Sequence, residues 1–133
     1  MLFRSESAWQ GRGKVRARWR SRDELELTVD DITTQARTYK PLVYEFFRKE
    51  FQVRPRWGDF EVDIRLEHAG EAPPLDLDNL AKALLDAIKG FVFFDDVQIA
   101  RLLVERVGAE RDRIFVVARA RGSDGLSLRD PGP

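Results

Sequence analysis

Apolar and polar residues alternate without a break over residues 59–67, which makes this segment the clearest predicted strand of the chain. Alternation with a period of two indicates a half-buried strand, because successive side chains of a strand point to opposite faces. The same pattern over residues 24–29 predicts a second strand. Three further segments have strand-like apolar runs: 91–94, 97–107 and 112–121. A turn over residues 108–111 separates the last two.

Two segments repeat their apolar residues at the spacing of an amphipathic helix. The first opens at residues 38–41 and runs to about Phe51, and the second spans residues 79–89 before a stop at Gly90. The predicted buried face of the first helix consists of Leu42, Val43, Phe46, Phe47 and Phe51. The predicted buried face of the second consists of Leu80, Ala83, Leu84, Ala87 and Ile88.

The chain has 133 residues, of which 43% are hydrophobic, enough for the core of one domain. No stretch of about 18 consecutive apolar residues is present, so a membrane-spanning helix is excluded. No apolar signal-peptide core follows the start, and a cytoplasmic location is therefore expected. We predict three parts: a basic N-terminal arm over residues 1–22, a folded domain over residues 23–121 and a flexible tail over residues 122–133.

Charge is balanced in total, with 23 basic and 23 acidic residues, but it is unevenly distributed. Residues 1–22 carry a net charge of +6 and the rest of the chain carries −6. A net charge of zero argues against nucleic-acid binding by the protein surface as a whole. A basic arm on an acidic body instead favours binding through the arm. We interpret the arm either as a poorly ordered segment or, because its basic residues alternate, as a strand docked on the body.

The residue types that catalysis usually employs are scarce, because cysteine is absent and His68 is the only histidine. A disulfide scaffold, a thiolate zinc site, an iron–sulfur cluster and a cysteine nucleophile are thereby excluded. A multi-histidine metal site is disfavoured as well. Candidate chemistry therefore rests on carboxylates and lysine.

The segment 75–82 holds two aspartates, Asp76 and Asp78, at the entry of the second predicted helix. In an extended segment this spacing sends both carboxylates the same way, and they repel each other unless a cation or a proton lies between them. Carboxylate oxygens suit Mg²⁺ or Mn²⁺. The alternative is structural: Asp78 would cap a helix that begins at Asn79, and Asp76 would be a turn residue.

A second acidic pair, Asp95 and Asp96, ends the apolar run 91–94. The helix between the two acidic pairs is short, and we expect it to return the chain so that Asp96 approaches Asp76 and Asp78. Lys82 lies one helical turn after Asp78, where it would neutralise a phosphate or hold an attacking water, or form an ordinary surface ion pair. Three carboxylates and a lysine fit metal-assisted phosphoryl transfer.

These elements together resemble the signature of the RusA family of Holliday junction resolvases, small endodeoxyribonucleases of bacteria and their prophages. The elements, which agree in order and spacing, are Asp76-Leu77-Asp78-Asn79-Leu80 with Lys82, Leu85-Asp86-Ala87, Gly90, Phe94-Asp95-Asp96 and Gln98-Ile99. The resemblance implies an α/β (α+β) fold with a small mixed sheet of about four to five strands and two main helices, working as a homodimer. It also implies Mg²⁺, or Mn²⁺ in its place, held by Asp76, Asp78 and Asp96, with Lys82 assisting catalysis. The sequence departs from the family pattern in two places. Family members tend to begin directly with the first strand, whereas this chain begins with the arm. They then tend to have a segment with proline or asparagine, whereas residues 30–34 carry neither.

The function that this resemblance implies is resolution of four-way DNA junctions by symmetric paired nicks, in recombination and repair. A two-fold dimer suits a junction with two-fold symmetry, because it presents two equal sites. The alternatives are a nuclease for other branched DNA, a non-catalytic DNA-binding protein and a structural partner protein. Candidate DNA contacts are the arm and Arg54, Arg56, Arg101, Arg119 and Arg121. The alternative for each of them is an ordinary charged surface residue with no role in binding.

Overall fold

A computed structural model describes residues 7–33 and 35–121 of the chain. Its elements, in chain order, are β1 (Val15–Ser21), β2 (Glu24–Asp30), α1 (Tyr39–Lys49), β3 (Phe60–His68), α2 (Leu77–Ile88), β4 (Ile99–Gly108) and β5 (Arg113–Ala120). Short 3-10 turns precede α1 at Ala36–Thr38 and β4 at Asp96–Gln98. The five-strand mixed sheet and two helices confirm the predicted α+β fold. Neither helix of the described chain is long and apolar enough to cross a membrane.

The sheet has the strand order β1-β2-β5-β3-β4. All neighbouring strands are antiparallel except β3 and β4, which run parallel from Phe60 beside Ile99 to His68 beside Gly108. The turn at 108–111 therefore does not close a hairpin, because β4 and β5 lie on opposite sides of β3. As a result β4 is an edge strand of ten residues.

The core lies between one face of the sheet and the two helices. Every residue that the helical spacing of α2 assigns to its apolar face is buried, and so are the predicted core residues of α1 except Leu42. The sheet contributes the apolar positions of its central strands: Leu25, Leu27, Val29, Val62, Ile64, Leu66, Ile114 and Val116. This packing holds α1 against α2 and fixes the N-terminal half of α2 beside the 3-10 turn that precedes α1.

The segment that we expected to be an arm contains an integral strand, since Val15–Ser21 is β1. Val15 and Ala17 are buried in the core, while Arg16, Arg18 and Arg20 alternate with the core positions and point to the other face of the sheet. The docked-strand interpretation of the alternating basic residues therefore holds for residues 15–21. Residues 1–6 of the arm and the tail 122–133 lie outside the described residues.

The apolar run 91–94 is not a strand. It forms a tight turn after α2, in which Phe93 makes isolated bridges with Lys89 and with Arg56. Gly90 permits this turn with a φ of 90°, a conformation that residues with a Cβ rarely adopt. The run is apolar because Val92 and Phe93 are buried in the core, where the Phe93 ring lies 5.5 Å from that of Phe60, rather than because it pairs within the sheet.

Candidate active site

The first acidic pair lies at the start of α2, and the two aspartates have different tasks. Asp76 is the N-cap of the helix: its Oδ1 accepts a hydrogen bond of 2.9 Å from the backbone N–H of Asp78. The helix therefore begins at Leu77, two residues earlier than predicted, and the capping role belongs to Asp76 rather than to Asp78. Asp78 is exposed in the first turn, where the helix dipole favours a negative charge.

A cleft of about 530 Å³ opens beside this helix start. Asp76 and Lys82 line it, whereas Asp78 and Asp96 do not. The other lining residues are Gln35, Ala36, Arg37, Lys40, Pro74, Leu75, Asn79, Ala83 and Asp86. Three of the lining residues share the face of α2 that points away from the core: Asn79, Lys82 and Asp86. The cleft thus combines carboxylates with cations, a set that suits a phosphodiester held beside a metal ion.

Sequence reasoning missed two cations of this cleft, Arg37 and Lys40. They come from the 3-10 turn before α1 and from the first turn of α1. No local pattern reveals that this turn lies beside α2. The available signal is electrostatic: two basic residues stand at a helix N-terminus that has no acid in its first turn, where the helix dipole disfavours them.

The second acidic pair lies beyond the other end of α2. Asp95 caps the short turn Asp96–Gln98, and the charge of Lys89, the C-cap of α2, acts on it. The pKa of Asp95 lies below its ordinary value, first because the Asp96 side chain hydrogen-bonds to it and then because the Val97 N–H does. The two carboxyl groups are therefore close neighbours.

The three predicted metal ligands do not come together within one chain. Asp76 and Asp96 lie toward opposite ends of α2, whose 12 residues span about 18 Å. β4 begins shortly after Asp96, and Arg106 lies near the far end of this strand. There Arg106 donates a hydrogen bond of 2.7 Å to the carbonyl of Leu75, next to Asp76. Within 7–33 and 35–121, no three acidic or histidine side chains form a group that could hold a metal. The expectation that the helix returns Asp96 to Asp76 is wrong for a single chain, and the ligand assignment stays a prediction.

Gln98 fixes the acidic pair, a role that sequence reasoning also missed. Its side-chain carbonyl accepts hydrogen bonds from the backbone N–H groups of Phe94 and Asp95, at 2.8 and 3.0 Å. Its amide nitrogen donates to the carbonyls of Arg56 and Gly58, both at 2.8 Å. This buried side chain therefore ties the loop before β3 to the loop that carries Asp95 and Asp96.

Most of the predicted DNA-contacting arginines are engaged in ion pairs. Arg56 contacts Asp23 and Arg101 contacts Asp63, each at 3.1 Å. The remaining pairs are Arg119 with Glu24 at 2.6 Å and with Glu61 at 3.1 Å, and Arg121 with Glu61 at 2.7 Å. Hydrogen bonds from Arg121 and Arg119 lower the pKa of Glu61. Arg54 is exposed and makes no ion pair with another described residue. A role of these arginines in DNA binding stays a prediction.

The fold and the cleft together define a small α+β protein whose carboxylates and cations suit phosphodiester chemistry. The endodeoxyribonuclease RusA family matches residues 9–119, and the chain belongs to this family. The match confirms the resemblance found in the sequence and spans both acidic pairs and Lys82. Membership implies the endonuclease activity of a Holliday junction resolvase. None of the curated proteins matches the chain.

Proposed function

We propose that the protein is a Mg²⁺-dependent endodeoxyribonuclease that resolves four-way DNA junctions by paired symmetric nicks, in recombination and repair, with Mn²⁺ as an acceptable substitute. The observation that carries this proposal is the cleft at the start of α2, where Asp76 and Lys82 face the same space. Membership of the endodeoxyribonuclease RusA family supports the reaction class. A cytoplasmic location remains a prediction.

The donor set at the start of α2 fits a hard cation. One oxygen of Asp76 caps the helix, while its other oxygen and the Asp78 carboxylate make no hydrogen bond or ion pair with the described residues. When bound, Mg²⁺ would polarise the phosphodiester and lower the pKa of a water molecule. Helix capping holds the Asp76 carboxylate in place, and Lys82 offsets phosphate charge one turn further along α2.

A homodimer would complete the ligand set with Asp96 of a second copy. The outer edge of β4 makes no backbone hydrogen bonds with other described residues, and Leu102 and Leu103 are 44% and 40% exposed on its two faces. Such an edge is a template for pairing with another strand. Antiparallel pairing of β4 with its two-fold mate sets the Asp96 end of one strand beside the Arg106 end of the other.

That arrangement forms two equal sites, since the Arg106 end of β4 is held against the segment that leads into Asp76. Each site would then contain Asp76 and Asp78 of one subunit and Asp96 of its mate. Two equal sites related by a two-fold axis suit paired nicks in a junction of the same symmetry.

Cleavage of a synthetic four-way junction, compared with a linear duplex in Mg²⁺ or EDTA, tests the proposal. Wild-type protein should nick the junction symmetrically and only with the metal, and Asp76→Asn and Asp96→Asn should each be inactive. A mixture of these two variants should recover nicking, because half of the sites in a mixed dimer contain neither substitution. Inactive mixtures from two variants that are shown to exchange subunits would exclude the shared site.

Two alternatives would appear in the same assay. Preferential cutting of flaps or forks over four-way junctions would indicate a nuclease for other branched DNA. Tight junction binding without cleavage in either metal would favour a non-catalytic DNA-binding protein.

A further inference from the structure

The cations of the described residues differ in whether they have an acidic partner. Several on the sheet are paired, as Arg113 is with Glu67 at 3.0 Å and Arg18 with Glu26 at 2.6 Å. By contrast, the three cations that line the cleft make no ion pair with other described residues: Arg37, Lys40 and Lys82. Other exposed cations, such as Arg16 and Arg54, also make no ion pair within the described part of the chain, but in the cleft three such cations line one space, where an anion can contact them together.

Two of these cations lie at a helix end whose dipole disfavours a positive charge. Arg37 and Lys40 are exposed, and they lie at the N-terminal end of α1, which carries a partial positive charge. No acidic residue in the first turn of α1 offsets them. An anion bound in the cleft would relieve this repulsion, because it would face both cations and the positive end of the helix.

We propose that Arg37 and Lys40 bind the DNA backbone phosphates that adjoin the phosphodiester cut beside Asp76 and Lys82. This inference rests on the proposed function. The two cations line the cleft from α1 and its preceding turn, while Asp76 and Lys82 line it from α2. A DNA strand lying in the cleft would therefore contact both elements at once.

The occupant follows from the balance of charge and the size of the cleft. Arg37, Lys40 and Lys82 outnumber the two acids, Asp76 and Asp86, so an anion is attracted even before a metal binds. A volume of about 530 Å³ exceeds what one phosphate fills. A polyanionic backbone satisfies the cations at several phosphates, which a free phosphate ion cannot do.

The test measures how binding to a fluorescent four-way junction in EDTA depends on salt, for wild type and Arg37→Ala/Lys40→Ala. The slope of log affinity against log salt should become shallower by about 2, because each neutralised phosphate contributes about 0.9. Affinity should fall at least about tenfold. Arg37→Lys should keep most of the wild-type slope, since it keeps the charge. Excess inorganic phosphate should compete weakly if the DNA backbone is the ligand.

The matched control is Arg48→Ala/Lys49→Ala, which removes the same two charges from the other end of α1. There both cations are paired with Glu45, at 3.1 and 3.3 Å. This control should keep the wild-type slope. Thermal melting monitors the fold, which the exposed positions of all four residues should leave intact.

The outcomes separate this inference from the proposed function. If wild type cleaves junctions but the Arg37/Lys40 variant keeps both slope and affinity, the phosphate-binding role is wrong and the nuclease stands. An equal loss in the Arg48/Lys49 control would also overturn it, because bulk charge would then explain the effect. If wild type neither binds nor cleaves any branched DNA, both proposals fail together.

Discussion

The two ends of α2 carry the two acidic pairs, and the fold secures them in different ways. At the N-terminal end, Asp76 is held by the helix that it caps, and it opens onto a cleft with cations. Beyond the C-terminal end, the loop of Asp95 and Asp96 is held by the buried amide of Gln98. Hydrogen bonds hold each acidic pair in place, and about one helix length separates the two ends of α2. In the proposed dimer, each chain would therefore supply two separate parts of a shared site.

The largest expected difference between the ends concerns catalysis at Asp78. Asp78→Asn removes a proposed metal ligand that neither caps α2 nor contacts the core, so cleavage should fall at least about a hundredfold. Junction binding and the melting temperature should stay near wild type. Single-turnover cleavage and thermal melting measure these properties.

Asp31→Asn is the control for Asp78→Asn. It removes the same charge at an exposed residue that does not line the cleft and whose φ of 69° asparagine tolerates well. Its cleavage rate should match wild type. Full activity of Asp78→Asn would show that Asp78 is not a metal ligand. Unfolding of this variant would show that Asp78 has a structural role at the start of α2.

Much of this architecture is contained in local patterns of the sequence. The strand 59–67 and the core face of the second helix follow from period and spacing alone, and the structure places them at Phe60–His68 and Leu77–Ile88. The acidic motif was likewise visible, because its parts are close in sequence. The capping role, however, belongs to Asp76 rather than to Asp78, since either aspartate could begin the helix.

The rest could not be predicted, because it depends on which elements become neighbours. The parallel pairing of β4 with β3 is a long-range contact, and it carries Asp96 away from Asp76. Arg37 and Lys40 enter the cleft only because α1 packs against α2. The arginines of β1 suggested an arm through their charge, although Val15 and Ala17, which alternate with them, belong to the core.

A smaller effect is expected at the C-terminal end, where Gln98 can be removed. Gln98→Ala leaves two backbone N–H groups and two carbonyls without this partner, so the free energy of unfolding should fall by about 1–3 kcal/mol. Cleavage should fall as well, because Asp96 loses the support of its loop. Urea denaturation and junction cleavage measure the two effects.

The exposed Gln52 gives the matched control for Gln98, since its side chain makes no hydrogen bond with another described residue and Gln52→Ala removes the same group. We expect its stability and cleavage to equal those of wild type. Equal stabilities of the Gln98 and Gln52 variants would mean that the loop of Asp95 and Asp96 is held by something other than this amide.

The smallest effect distinguishes the two aspartates at the N-terminal end by stability alone. Asp76→Ala removes the acceptor of the Asp78 N–H, and the loss of an N-cap lowers the free energy of unfolding by about 1 kcal/mol. Asp76→Asn keeps a side-chain oxygen at the cap and should lose much less, although cleavage should disappear in both variants. Asp78→Ala should lose only the favourable charge in the first turn, a few tenths of a kcal/mol. Urea denaturation of the three variants ranks them, and a larger loss for Asp78→Ala than for Asp76→Ala would return the capping role to Asp78.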